Sequence, residues 1–390
     1  MLQAKIKTGD LITLINLTKQ EVENARHHEY FCPVCNESVI VKAGERTIAH
    51  FAHLSVKNCI SSDYGEGSYH ARGKLELYNW LKQQTFKTEL EKYIPEINQR
   101  PDLLVTIRNK KIAIEYQCAR IPLEVVRQRN EGYRTAGITP IWILGAKHFH
   151  RLRKHHFKVD QFILSFLHQF TPSFPISLYF FCPSTLQFVS AQHIHLSNSR
   201  NAIGSFSFSK LNEMTFHHMF KQPLFNQNGF YQLWLNEKKQ FRLSRNNRMF
   251  GAELVWHKWL YENGTHKERL PSIVHLPVPG QHQMKLPLYN WQSRLCIDLL
   301  IPLKIGARFS IKDCERLLRY KPQQSILLKG TDHPILSYLL ILKEIGVIDQ
   351  YQTTVFVKMK EIVFHKNIEE SVKADARLMN QLIQYSTIGL

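Results

Sequence analysis

The chain has 390 residues, 44% of them hydrophobic, and its 51 Lys and Arg against 32 Asp and Glu give a formal charge of +19. That length calls for two or three compact units, and the apolar content excludes wholesale disorder. The cationic excess points to a polyanionic partner, because Lys and Arg that neutralise phosphates release condensed counterions.

The first stretch, MLQAKIKTGDLITLINL, carries Asp10 and scattered polar residues where a secretory leader would have an unbroken apolar run. No stretch reaches the roughly 18–20 apolar residues of a membrane helix, so no membrane span is expected. Seven cysteines, an odd number over a long chain, do not read as a secreted disulfide framework. A cytoplasmic location is expected.

Residues 1–62 alternate apolar and polar at DLITLINL and ESVIVKAG, the pattern of short strands in a small β module. Within it, YFCPVCNESVIVKAGERTIAHFAHLSVKNC offers Cys32 and Cys35 two residues apart, then His50, His53 and Cys59. Two thiolates at that spacing can reach one tetrahedral Zn²⁺, with His and Cys completing the shell. Five candidates compete for four places. Cys32, Cys35, His53 and Cys59 are the preferred set, with His50 and His53 both candidates for the histidine position. A shell filled by protein donors alone is a structural site. The competing reading is reduced core cysteines beside surface histidines.

Residues 63–170 read helix, strand, strand, helix, strand. SYHARGKLELYNWLKQQ has helical spacing, DLLVTI and IAIEYQ are strands flanking the turn RNKK, PLEVVRQRNEGYRTAG is helical, and TPIWIL is a buried strand. Each strand of the hairpin carries an acid, Asp102 and Glu115. Pairing symmetric about Asn109–Lys110 sets Asp102 opposite Gln117 and Leu104 opposite Glu115. Alternation then puts Asp102, Glu115 and Gln117 on one face. Two neighbouring carboxylates repel unless a cation sits between them. Mg²⁺ or Mn²⁺ suits such oxygen ligands and could activate water against a phosphodiester. Alternatively, Asp102 ends a strand after Pro101 and Glu115 pairs with a Lys or Arg. On the first helix, residues 70, 74, 77, 78 and 81 form one stripe, which aims His70 and Lys74 inward and leaves Glu76 outside.

The prolines of TPSFPISLYFFCPST mark a break at residues 171–185, and the remainder to 390 reads as mainly helical, basic and aromatic. KKQFRLSRNNRMFGAELVWHKWLYENGTHKERL suits either a docking surface that stacks single-stranded bases or a helical core with a solvated basic face. DHPILSYLLILKEIGVIDQYQTTVFVK reads as a helix ended at Gly346 and a strand, which is more often simply another helix and edge strand than part of a winged helix.

The segments CPVC, HFAHLSVKNC, EGSYHARGKLELYNWL, PDLLV, IEYQC and RNEGYRTAGITPIWIL, in this order, resemble the competence protein CoiA family. Its core is similar to the PD-(D/E)xK restriction-endonuclease-like fold. The fold expected is thus an α/β (α+β) nuclease-like core over 63–170, a zinc-binding β module over 1–62 and a mainly helical region over 171–390. The resemblance implies a role in natural transformation, with internalised single-stranded DNA and recombination proteins as partners. Carried over, Asp102 and Glu115 are acids that bind Mg²⁺ or Mn²⁺, and Gln117 takes the usual lysine position and orients water. Lys74, His70 and Glu66 belong to the first core helix, with Lys74 and His70 contacting phosphate. The activity implied is a metal-dependent deoxyribonuclease. The alternative is a non-catalytic DNA-binding adaptor on a nuclease-like platform, which the loss of lysine at Gln117 keeps open.

Overall fold

A computed structural model of the chain describes residues 1–14, 17–44, 47–54, 59, 67–223, 226–244, 250–322, 325–330 and 332–388. Glu66 lies outside the described residues. The chain forms two compact units. One comprises Met1–Gln192, Gly204–Gln222 and Ser325–Lys329; the other comprises His193–Ile203, Pro223–Gln324 and Gly330–Leu390. Among the described residues, no helix is long and apolar enough to cross a membrane.

The first unit begins with strands β1 (Gln3–Lys5) and β2 (Leu11–Thr13), helix α1 (Lys19–Ala25), and strands β3 (Tyr30–Phe31), β4 (Ser38–Gly44) and β5 (Thr47–His53). They form a sheet of order β2-β1-β3-β4-β5. Thr18 and Glu21 close α1 with a reciprocal capping box. Along β4, Val39 and Val41 turn inward onto Phe51 and Tyr30, as strand alternation requires.

Next come α2 (Ser68–Lys82), β6 (Lys87–Leu90), β7 (Leu103–Ile107), β8 (Lys110–Gln117), α3 (Leu123–Thr135) and β9 (Thr139–Gly145). They are followed by β10 (Arg151–Arg153), β11 (His156–Lys158), α4 (Gln161–Leu164), β12 (Ser177–Cys182), β13 (Gln187–Leu196) and β14 (Asn201–Lys210). These strands make one sheet of order β10-β11-β14-β13-β12-β9-β8-β7-β6. β8 and β9 run parallel, joined by α3, and β12 adds to β9 in parallel. The sheet therefore runs past the break expected at 171–185: SLYFFC is strand β12, not the start of a helical region. Pro172 and Pro175 precede that strand, where a missing N–H disrupts no ladder.

Both faces of this sheet are covered. Leu77, Trp80 and Leu81 of α2 pack on Leu103, Val105, Ile114 and Tyr116, while Tyr133 of α3 packs on Leu104 and Ala113 from the other side. At Gly73 the α2 backbone meets β8 closely: a Cβ there would lie 1.9 Å from Tyr116 Cε1.

The hairpin turn falls on Arg108 and Asn109, both left-handed with φ of 46° and 67°, as in a two-residue primed turn. Pairing therefore runs Leu103↔Ile114 through Ile107↔Lys110. This corrects the expected register by two residues, so that Asp102 lies in line with Glu115 rather than with Gln117. A shift of two leaves strand alternation unchanged. Asp102, however, precedes β7 and meets His70 and Lys74 of α2, whereas Glu115 turns to Arg129 and Tyr133 of α3, so the two acids do not share one face as expected.

The second unit holds α5 (Gln227–Leu243), α6 (Gly251–Glu262), α7 (Leu288–Arg294, continued by a π turn over Leu295–Leu300), β15 (Arg308–Ser310), α8 (Ile311–Leu318), α9 (Pro334–Glu344), β16 (Ile348–Gln352), β17 (Val355–Lys358) and α10 (Ile368–Ile388). Its core gathers Trp234, Trp256, Leu260, Trp291, Tyr338 and Met379. In the aromatic–basic stretch, Trp256 and Leu260 face that core, Phe250 and Tyr261 are exposed, and residues 245–249 lie outside the described residues. Residues 288–358 run helix, strand, two helices and a two-stranded hairpin, with sheet order β15-β17-β16, the element order of a winged helix. The exposed residues of α9 are Leu340, Lys343 and Glu344, so its outward face carries one apolar side chain, one cation and one acid.

Candidate functional site

Asp102 stands just ahead of β7. Its Oδ2 accepts the Tyr116 N–H at 2.8 Å, its Oδ1 is 3.5 Å from Lys74 Nζ, and His70 Nε2 lies 3.4 Å from Oδ2. His70 and Lys74 reach it because both lie on the stripe of α2 that faces the sheet. Lys74 is fully buried, with Nζ 2.5 Å from Glu91 Oε1. Glu91 Oε2 in turn accepts the Leu2 N–H at 2.8 Å and faces Arg100 Nη1 at 3.4 Å. An ammonium buried between two carboxylates is turned away from solvent, a placement that suits positioning Asp102 more than contacting phosphate. It holds Asp102 in place.

Glu115 sits buried on β8 and turns toward α3, where the Arg129 guanidinium and the Tyr133 hydroxyl both donate to its Oε1. Burial pushes the Glu115 carboxyl above the usual carboxylate range; Arg129 pulls it back, and the nearby Asp102 charge adds to the rise. Gln117, two residues on, is half-buried and donates from Nε2 to the Ala119 carbonyl at 2.6 Å. Glu76 pairs with Arg72 on the outer side of α2, as its position on the helix predicted. Two acids from facing strands are a donor set that a hard divalent ion can use. Arg129 and Tyr133 now occupy one of Glu115's oxygens.

Glu91, Arg100, Arg129 and Tyr133 were missed from the sequence. Arg129 and Tyr133 do share a stripe of α3 with Val126 and Asn130, the buried side of that helix. Glu91 takes a left-handed conformation, φ 48°, which no sequence pattern announced.

In the N-terminal module, the turn between β3 and β4 presents Cys32 and Cys35, with Cys32 N–H bonded to the Glu37 carbonyl. The ligand atoms of Cys32, Cys35, His53 and Cys59 all lie within 4.8 Å of one another. Cys32 Sγ is 3.8 Å from Cys59 Sγ, and Cys35 Sγ is 3.3 Å from His53 Nε2. His50 is excluded because, three residues from His53 on one strand, it faces the other side; its Nδ1 meets the Ile48 carbonyl at 2.9 Å. Burial raises the Cys32 thiol, but N–H groups of Cys35 and Val34 bring it below its usual value. Cys35 is pushed up to about 12 by burial and by the neighbouring sulfurs. Clustered thiols that oppose one another's ionisation are what a cation relieves, and three sulfurs with one imidazole suit a metal ion such as zinc.

A sheet covered on both faces, with Asp102 just ahead of β7 and Glu115 on the neighbouring β8, joined to a Cys/His module, is the frame of a protein with a nuclease-like core. The chain belongs to the competence protein CoiA family: its N-terminal domain matches residues 14–62, its nuclease-like domain 66–224 and its C-terminal domain 230–372. Competence protein CoiA of Bacillus subtilis (strain 168) is 29% identical over 285 residues, 72% of this chain and 74% of that protein. No solved structure matches the chain.

Proposed function

We propose that the first unit hydrolyses phosphodiester bonds in DNA, using a divalent ion held by Asp102 and Glu115, during cytoplasmic handling of internalised single strands. The observation that carries this is the placement of the two acids in line across β7 and β8, within a family that has a nuclease-like domain. Bound Mg²⁺ or Mn²⁺ would supply a Lewis acid and an activated water. The chain's own contribution is positional. The Tyr116 N–H and Lys74 fix Asp102, while His70, against Asp102 and partly open to solvent, is placed to hold a proton near a bound phosphate. Gln117, where the wider fold carries lysine, orients groups by hydrogen bonds alone. The Cys/His cluster holds zinc as a structural site.

A second reading, a DNA-binding adaptor without hydrolysis, is favoured by one feature. Glu115 is engaged by Arg129 and Tyr133, and the Gln117 amide by Ala119. Incubating the purified chain with labelled single- and double-stranded DNA in Mn²⁺, Mg²⁺ or EDTA separates the two. Metal-dependent cleavage that disappears in Asp102→Ala/Glu115→Ala supports hydrolysis. Equal DNA binding by both proteins, with cleavage by neither, gives the adaptor.

A further inference from the structure

Between Glu131 and Glu213 the sequence holds a single acid, Asp160, against eight Lys and Arg. Asp160 is spoken for: it accepts the Ile163 N–H at the start of α4 and pairs with Arg120. The cations of this segment concentrate on the β10–β11 hairpin, the outer edge of the large sheet. Arg151, Arg153, Lys154 and Lys158 are all exposed there, and β13 and β14, next in the sheet, carry no acid.

Aromatic rings lie beside these cations. Phe208 on β14 is 45% exposed and Phe206 is half-buried. The Arg151 guanidinium lies 5.8 Å from the Phe206 ring centroid and 5.4 Å from that of Phe208. Lys and Arg alone on an edge strand have a simpler use, since they deter pairing with another sheet. That purpose gives no reason for an exposed phenyl ring stacked under one of the arginines, at a solvent cost that a polar residue would avoid. Cations spaced along a ribbon with an accessible aromatic face between them are the pattern of a surface for unpaired nucleic acid.

We infer that the β10–β11 hairpin, with Phe206 and Phe208, is a binding surface for single-stranded DNA, its cations on the phosphates and Phe208 under a base. It takes the DNA substrate class from the proposed function but uses a separate place. Six strand spacings divide β10 from β8, about 29 Å along the sheet.

The test measures binding of a fluorescein-labelled oligothymidylate by anisotropy in EDTA, in the Asp102→Ala/Glu115→Ala chain, so that cleavage plays no part. Arg151→Glu/Arg153→Glu/Lys154→Glu is expected to weaken binding at least about tenfold and to reduce the salt slope by about 2, roughly 0.7 per phosphate contact. The corresponding Gln variant, close in size, is expected to fall between the two. Phe208→Ala is expected to weaken the oligothymidylate about fivefold or more and leave a duplex unchanged. Unaltered binding in the Glu variant, equal effects of Phe208→Ala on single strand and duplex, or hairpin-dependent binding to phosphatidylglycerol vesicles in place of DNA each overturn the inference. A chain that binds through the hairpin but never cuts refutes hydrolysis alone. One that cuts through its acids with the hairpin variants unaffected refutes this surface alone.

Discussion

Replacing Lys74 with methionine removes a cation enclosed between Glu91 and Asp102 while keeping a side chain of similar length. The Nζ distances of 2.5 and 3.5 Å correspond to gross attractions of about 7 and about 5 kcal/mol at an effective dielectric near 20. Desolvation offsets most of this, and removing one partner of a buried pair costs about 3–5 kcal/mol. Glu91 keeps Arg100 and the Leu2 N–H, which argues for the lower end. A whole-chain unfolding energy is ill-defined for two units, so hydrogen exchange read by mass spectrometry on peptides from β7 and β8 is the better assay. At about 1.4 kcal/mol per decade, a loss near 3 kcal/mol speeds exchange limited by opening of the sheet roughly a hundredfold. Adding Glu91→Gln to Lys74→Met is expected to recover part of the loss, since the buried Glu91 carboxylate no longer misses its ammonium; the recovery stays partial because the Arg100–Glu91 pair goes with it. Exchange in Lys74→Met within about threefold of wild type, or a double variant worse than the sum of the two singles, would refute the view that charge pairing holds this site together.

Two further outcomes follow from other parts of the chain. Metal analysis of the purified protein is expected to give one zinc per chain, lost in Cys35→Ser and in His53→Ala but kept in His50→Ala; retention in His53→Ala sinks the assignment. Burial lowers His168 to about 4, with its Nε2 accepting the Trp142 N–H, so the folded chain keeps this imidazole neutral. The unfolded chain takes up a proton below about 6.5, so stability is lost as pH falls from about 6.5 to about 4. His168→Gln, which retains an acceptor for Trp142, is expected to flatten urea-midpoint profiles of the first unit over that window, and an unchanged slope contradicts it.

The features visible in the sequence are those fixed by short-range geometry. The choice of His53 over His50 was not among them, but the Cys32–Cys35 spacing involves only neighbours. So does the α2 stripe that brings His70 and Lys74 to the sheet. The hairpin was legible as a hairpin, but its register was not. Either Arg108–Asn109 or Asn109–Lys110 can form the turn, and the choice rests on which pairing best fills the two faces of a nine-stranded sheet. Glu91, Arg100, Arg129 and Tyr133 reach the acids only through the tertiary fold, and no local signal ties Arg129 to Glu115. β12 was obscured for a different reason. Its flanking prolines are the usual punctuation of a boundary, and only its pairing with β9 shows that they introduce a strand.

The close approach at Gly73 fixes a length. Side chains on α2 have set reaches, so the gap between helix and strand decides whether Lys74 and His70 arrive at Asp102 or fall short of it. Even a single methyl at position 73 would have to displace Tyr116, the residue whose own N–H holds Asp102. A residue with no side chain thus gauges the whole acid cluster. Drift at this silent position would open the site as surely as the loss of an acid, while leaving every functional group in the chain intact.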